Sequence, residues 1–100
     1  MSYDQTAAPD AASQLHVRVM SPSRQYFDGP ADSITAQNDV GQFDVLRDHA
    51  NFFTLLSPGT ISIVAGPQRF DLPIQQGLLK VAHNRVTAFV DMETPTTKPA

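Results

Sequence analysis

The sequence predicts an all-β fold, a two-sheet antiparallel β-sandwich or flattened barrel of about ten short strands with a flexible tail at each end. Apolar residues alternate with polar ones through the body of the chain, which is the period of a half-buried strand. Turn signals containing Pro or Gly interrupt this pattern too often for helices of ordinary length. A chain of 100 residues with 41% hydrophobic side chains forms one modest core and no second domain.

The alternation predicts the strands in chain order. In residues 15–19 the first, third and fifth side chains are apolar and face the core, whereas His16 and Arg18 face water. The same period returns at Ile61 and Ile63, and again over residues 85–90. The turns between strands are marked by Ser21-Pro22, Gly29-Pro30, Pro58-Gly59, Gly66-Pro67, Gln76-Gly77 and Asn84.

One stretch fits two patterns. From Gly41 to Leu56 no Pro or Gly intervenes, and several apolar residues fall at helical spacings of three and four. Phe43 and Val45, however, flank Asp44 in strand alternation, and residues 47–49 form a compact polar break. We interpret this stretch as strand, loop and strand.

The body, residues 15–91, is predicted to be one domain between two tails. Residues 1–14 are rich in Ala, Ser, Asp and Pro, and residues 92–100 are rich in Pro and Thr. Such compositions contain too little apolar side chain to offset the entropy of ordering. We therefore expect a disordered leader and a flexible C-terminal tail.

Composition excludes several classes of function. A net charge of −3 disfavours nucleic-acid binding, because a phosphate backbone would be repelled. Without cysteine there is no disulfide, thiolate nucleophile or Cys-based metal site. No signal peptide or membrane-spanning stretch is recognisable, so membrane association is expected only through a partner. No phosphate-binding loop motif occurs, and no nucleotide or other cofactor is expected.

The sequence offers little for catalysis or metal binding. No activated-serine motif is present, and His16, His49 and His83 lack metal-ligand spacing. The densest polar group, Asp44, Asp48 and His49, has the residue types of an acid/base site. Asp48 also fits an ordinary turn, because Asp tolerates left-handed backbone. We therefore predict no catalytic, cofactor-binding or metal-binding residue.

Seven segments of the body follow one another in a recognisable order of strands and turns. They are LHVRVMSPSRQYFDG at 15–29, ADSITA at 31–36, DVGQFDVL at 39–46, His49-Ala50, LLSPGTISIV at 55–64, QGLLKV at 76–81 and NRVTAFVD at 84–91. No single segment is specific, but their order and spacing together are. Over residues 15–91 the chain resembles the ATP synthase epsilon subunit.

The resemblance implies a mechanical role. In that family the sandwich joins the gamma subunit to the c-ring in the central stalk, and it couples proton flow to ATP synthesis without touching nucleotide. It lies peripherally on the cytoplasmic face of the membrane and does not insert. By position, the resemblance implies c-ring contacts at Asp39, Val40, Gly41, Gln42 and His49, and gamma contacts at Ser21, Pro22 and Ser23.

Some positions depart from the family pattern. Arg47-Asp48 replaces Pro-Gly before His49, Asn51 replaces a Pro, and Gln76-Gly77 replaces a double glycine, while Asp44 stands where a small glycine is common. The two C-terminal helices of the family have no counterpart before Ala100, so we expect a subunit that supports coupling without inhibiting ATP hydrolysis.

Two alternatives from other classes remain open at this stage. One is a free-standing β-sandwich module that binds a ligand or another protein. The other is a small acid/base enzyme that uses Asp44, Asp48 and His49, which predicts a concave pocket around that histidine.

Overall fold

The structure is a computed structural model that describes residues 14–92, and within them every regular element is a β-strand. The all-β prediction is therefore confirmed. The tails predicted over residues 1–14 and 92–100 lie outside the described residues, apart from Gln14 and Met92. The eight strands of the described range are β1 (Leu15–Ser21), β2 (Arg24–Ala31), β3 (Ser33–Asn38), β4 (Gly41–Leu46), β5 (Phe52–Leu56), β6 (Gly59–Ala65), β7 (Gln68–Ala82) and β8 (Arg85–Met92).

The strands form two layers that share β7. Their hydrogen-bonded order is β2-β1-β8-β7-β6-β3-β4. β5 lies off this path and pairs with the second half of β7, on the edge opposite β8. The first half of β7 pairs with β6, whereas its second half lies between β8 and β5. We call β2, β1, β8, the second half of β7 and β5 the first sheet. The first half of β7, with β6, β3 and β4, is the second sheet.

Three details differ from the sequence prediction. β2 continues through Gly29-Pro30, where a turn was expected, and both residues pair with β1. β7 is one strand of 15 residues where a turn was expected at Gln76-Gly77, so the described range holds eight strands rather than about ten. A register shift between Ile74 and Gln76 in the pairing with β8 marks the irregularity instead. In addition, β1 and β8 pair in parallel, while the other strand pairs are antiparallel. No turn connects these two strands, so hairpin geometry does not set their direction.

The ambiguous stretch adopts the predicted strand, loop and strand. β4 ends at Leu46 and β5 begins at Phe52. Between them Asp48 has a φ of 66°, the left-handed conformation expected of it.

The core lies between the two sheets and is apolar. The predicted inward residues of β1, β6 and β8 are all buried, which confirms the alternation. Burial of each Val, Leu or Ile side chain contributes about 1.5–3 kcal/mol. The buried residues are Leu15, Val17, Val19, Ala31, Ile34, Ala36, Val45, Leu56, Ile61, Ile63, Ile74, Leu79, Val81, Val86, Ala88 and Val90.

The loop after β4 is bound to the turn between β7 and β8. The Asp48 amide donates a hydrogen bond of 2.6 Å to Asn84 Oδ1, and Asn84 Nδ2 donates one of 3.3 Å to Asp48 Oδ1. The His83 amide donates to Asn51 Oδ1 at 3.0 Å. Asn84 itself has a φ of 62°, which Asn tolerates better than most residues. These bonds hold the loop that carries His49.

Gly77 lies where β7 is packed most closely. A Cβ added there would come within 2.8 Å of the Phe89 carbonyl oxygen and 3.2 Å of Val90 Cγ1. We therefore expect Gly77→Ala to lower the free energy of unfolding by about 1–3 kcal/mol in urea titrations. Gly29→Ala is the matched control, because its Cβ would meet nothing within 4 Å, and it should change stability by less than about 0.5 kcal/mol. Equal losses in the two variants would contradict this packing.

Removing the Asn84 side chain should release the His49 loop. In Asn84→Gly the backbone keeps its conformation, but the Asp48 amide loses its acceptor, so amide hydrogen exchange at Asp48 should accelerate. Asn84→Ala should do the same and be less stable than the Gly variant, because Ala disfavours positive φ. The Ser57 amide, which donates to the Gln37 carbonyl, is the internal control and should keep its protection. Unchanged exchange at Asp48 would show that these bonds do not hold the loop.

Candidate partner-binding surface

The outer side of β5 is apolar, which is unusual for a strand of a small sandwich. β5 has the sequence FFTLL, so apolar side chains point both into the core and away from it. Leu56 is buried, while Phe53 is 63% and Leu55 69% exposed. Two large apolar side chains therefore face water side by side.

Strand pairing extends this surface across the first sheet. Leu55 pairs with Leu78, Leu78 with Phe89, and Phe89 with Met20. Side chains that are paired across strands share one side of a sheet, so these four form a row about 14 Å long, three strand spacings. We call Met20, Phe53, Leu55, Leu78 and Phe89 the apolar face. A groove of about 460 Å³ lies along it between β5, β7 and β8.

A row of cations runs beside the apolar face. Lys80 is paired with Phe53 and with Thr87, which in turn is paired with Arg18. Arg85 is exposed on the same side, two residues before Thr87. Asp28 contacts His16 at 2.7 Å and Arg18 at 3.9 Å. Within residues 14–92, Lys80 and Arg85 form no ion pair.

The outer side of the second sheet is mostly polar, with Leu46 exposed at the end of β4, and several of its polar groups are paired with one another. Thr35 Oγ1 donates to Asp44 at 2.7 Å, and Ser62 Oγ donates to Asp71 at 2.7 Å. Arg69 Nε also donates to Asp71, at 3.1 Å. The Ser62 hydroxyl, and after it Arg69, lower the pKa of Asp71 below its usual value. This side of the sandwich is suited to water.

The predicted c-ring residues 39–42 lie in the turn between β3 and β4 and at the start of β4. Asn38 Oδ1 accepts hydrogen bonds from the amides of Val40 and Gly41 at 3.0 and 3.2 Å, which shapes the turn. Val40 is 92% exposed at its apex. Asn38 Nδ2 donates to Thr54 Oγ1 of β5 at 3.0 Å. Asp39 lines a groove together with Phe53 and Leu55, so this hairpin tip borders the apolar face.

His49 lies apart from the hairpin tip. The apex residue Val40 and His49 lie beyond opposite ends of β4, whose six residues span about 20 Å. The His49 ring is 4.9 Å from the Phe52 ring, centroid to centroid, and its Nδ1 lies 2.8 Å from the Ala50 carbonyl oxygen. The structure thus does not bring the predicted c-ring residues into one group.

The predicted gamma residues Ser21, Pro22 and Ser23 lie at the turn between β1 and β2. The Ser23 amide donates to Ser21 Oγ at 3.4 Å, and that hydroxyl lies 3.5 Å from the Tyr26 hydroxyl. The turn directly follows Met20, so it adjoins the far end of the apolar face from β5.

The polar residues weighed for acid/base chemistry are not assembled. Asp44 bonds Thr35 on the outer side of the second sheet, whereas Asp48 contacts Arg47 and Asn84 at the end of the sandwich. Among residues 14–92, no three His, Cys, Asp or Glu side chains are grouped to hold a metal ion. The same range contains no helix with the length and apolar character needed to cross a membrane.

The apolar face was missed at the sequence level. Its one local signal is β5, where four of five residues are apolar. Because successive side chains of a strand point to opposite sides, some of these apolar side chains must point outward. The contributions of Met20, Leu78 and Phe89 depend on pairing between distant segments, which sequence alternation does not reveal.

Comparisons with known proteins agree with the resemblance seen in the sequence. Residues 14–94 match the family model of the β-sandwich domain of the ATP synthase delta/epsilon chain. The ATP synthase epsilon chain of Geobacter metallireducens is 34% identical over 80 residues, which are 80% of this chain and 58% of that relative. The epsilon chain of Nitratiruptor sp. is 32% identical over 82 residues, 81% of this chain and 64% of the relative. The chain thus spans about three fifths of the relatives that it matches.

Solved structures show the same fold at low sequence identity. A chain of the Euglena gracilis mitochondrial ATP synthase, in an OSCP/F1/c-ring structure, aligns with a TM-score of 0.73 and 18% identity over 78% of this chain and 51% of that one. A chain of the Tetrahymena thermophila mitochondrial ATP synthase central stalk and c-ring aligns with a TM-score of 0.65 and 21% identity over 77% of this chain and 63% of that one. These likenesses show the fold, and the family match over residues 14–94 shows that the chain belongs to the ATP synthase delta/epsilon chain family, whose β-sandwich domain it contains.

Proposed function

We propose that this chain is a non-catalytic epsilon-type subunit of a rotary ATP synthase. It joins the gamma subunit to the c-ring in the central stalk, peripheral to the membrane on its cytoplasmic side, and helps to couple ion flow to ATP synthesis. The observation that carries the proposal is the difference between the two outer sides of the sandwich. The first sheet exposes Phe53, Leu55 and Phe89, whereas the outer side of the second sheet is mostly polar, with several groups paired to one another.

The apolar face is the proposed docking site for gamma. Its row of large apolar side chains, with Phe53 and Phe89 among them, has the composition of the centre of a protein interface. Ser21, Pro22 and Ser23, proposed as gamma contacts, adjoin Met20 at the β1 end of this face. Gamma would thus cover the row from β5 to the first turn.

The hairpin tip is the proposed contact with the c-ring. Asp39, Val40, Gly41 and Gln42 are exposed, and the Asn38 bonds hold the turn in shape. His49, which lies beyond the other end of β4, is a second and separate proposed contact. Contacts at two separate places would resist rotation of the sandwich against its partners, as a torque-carrying element requires.

A purely mechanical role agrees with the use of the polar residues. Asp44 bonds Thr35, Asp48 bonds the turn at Asn84, and His49 contacts Phe52 and Ala50. Each of these groups is engaged in holding a strand or a loop, and family membership favours a stalk subunit over a free-standing ligand-binding module.

Leu55→Ser should weaken binding of the full chain to the gamma subunit of the same organism by about tenfold or more, about 1.4 kcal/mol, in isothermal titration. The reason is that a large side chain at the centre of the interface is removed. Leu46→Ser is the matched control, because Leu46 is 54% exposed and belongs to the second sheet. Its affinity should stay within about twofold of wild type. Equal losses in the two variants, or wild-type affinity for Leu55→Ser, would refute docking at the apolar face.

A further inference from the structure

We infer that the surface of the gamma subunit that covers the apolar face is bordered by carboxylates, which pair with Lys80, Arg18 and Arg85. This inference rests on the proposed function and adds to it the chemistry of the partner. It follows from the position of cations next to the apolar side chains that gamma would bury, two of which, Lys80 and Arg85, form no ion pair within residues 14–92.

Lys80 is the central residue of this argument. It lies opposite Phe53 in the pairing of β5 with β7, and two residues from Leu78, about 7 Å along the strand. A partner that covers Phe53 and Leu78 must also remove water from around the Lys80 ammonium group. Within residues 14–92 that group has no carboxylate partner, so burying it without compensation would weaken binding.

Arg18 and Arg85 extend the same requirement over two more strands. Arg18 is half exposed, and its nearest carboxylate, Asp28, is shared with His16. Arg85 is exposed and has no ion pair in the described part of the chain. By contrast Arg69, on the second sheet, donates hydrogen bonds to Asp71 and Ser62. The chain carries a net charge of −3, so this cationic row is a local feature and not a general excess of basic residues.

The arrangement favours a protein partner over an anionic membrane. Asp28 and Asp91 stand on the same side of the first sheet as the cations, and both are exposed. Carboxylates at the borders of the face, on a chain of net negative charge, would be repelled by a sheet of anionic headgroups. A protein partner can place its acidic groups beside Lys80 and Arg85, which lie several residues along the strands from Asp91.

The test compares two charge reversals of the same size. Lys80→Glu lies beside the apolar face, and Arg69→Glu lies on the opposite side. Association of the full-length variants with purified gamma is followed by stopped-flow fluorescence at low and high salt, after thermal unfolding has shown that both are folded. Lys80→Glu should lower the association rate constant about tenfold at low salt, and salt should reduce this difference. Arg69→Glu should change it less than about twofold.

The outcomes separate this inference from the proposed function. If gamma binds wild type and Lys80→Glu equally fast at both salt concentrations, the acidic border is refuted and docking of gamma stands. If gamma does not bind the wild-type chain, both fail. Vesicles of phosphatidylglycerol and phosphatidylcholine provide the remaining arm. Vesicle binding that Lys80→Glu abolishes, while gamma binding is unchanged, would assign the cations to lipid and overturn the inference.

Discussion

The long strand β7 is the constraint on which the rest of the structure depends. Its first half pairs with β6 in the second sheet, and its second half pairs with both β5 and β8 in the first. The two layers are therefore held together by backbone hydrogen bonds as well as by the core between them. Gly77, in the second half, leaves room for Phe89, Val90 and Leu56 to pack against the strand. A sandwich connected in this way is well suited to transmit force as one rigid body.

The same strand determines which surface the molecule offers to a partner. Since Leu79 and Val81 point into the core, Leu78 and Lys80 must point outward. Leu78 joins Leu55 and Phe89 into the apolar face, and Lys80 places a cation beside it. Among the described residues the second sheet has no comparable row of large apolar side chains, because most of its outer residues are polar groups that bond one another and Leu46 stands apart at the end of β4. One side of the sandwich is thus suited to docking and the other to water.

Much of the fold was predictable because its signals are local. Alternation identified the inward residues of β1, β6 and β8, and the polar break at residues 47–49 identified the loop before β5, with Asp48 in left-handed conformation. The continuity of β7 was not predictable, because an irregularity at Ile74 and Gln76 and a turn at Gln76-Gly77 look alike in sequence. The site was harder still. Val40 and His49 are neighbours in sequence, yet they lie beyond opposite ends of an extended strand, while the apolar face collects residues from four strands.

The central claim is that gamma covers the apolar face and leaves the second sheet exposed. The chain contains no cysteine, so single cysteines can be introduced as reporters in an otherwise unreactive background. Leu55→Cys and Arg69→Cys would be incorporated into the assembled membrane complex, and their rates of maleimide labelling compared with those of the free chains. The account predicts that labelling at position 55 slows at least about tenfold on assembly, while position 69, on the outer side of the second sheet, reacts as in the free chain. Protection at position 69 with free reaction at position 55 would contradict it.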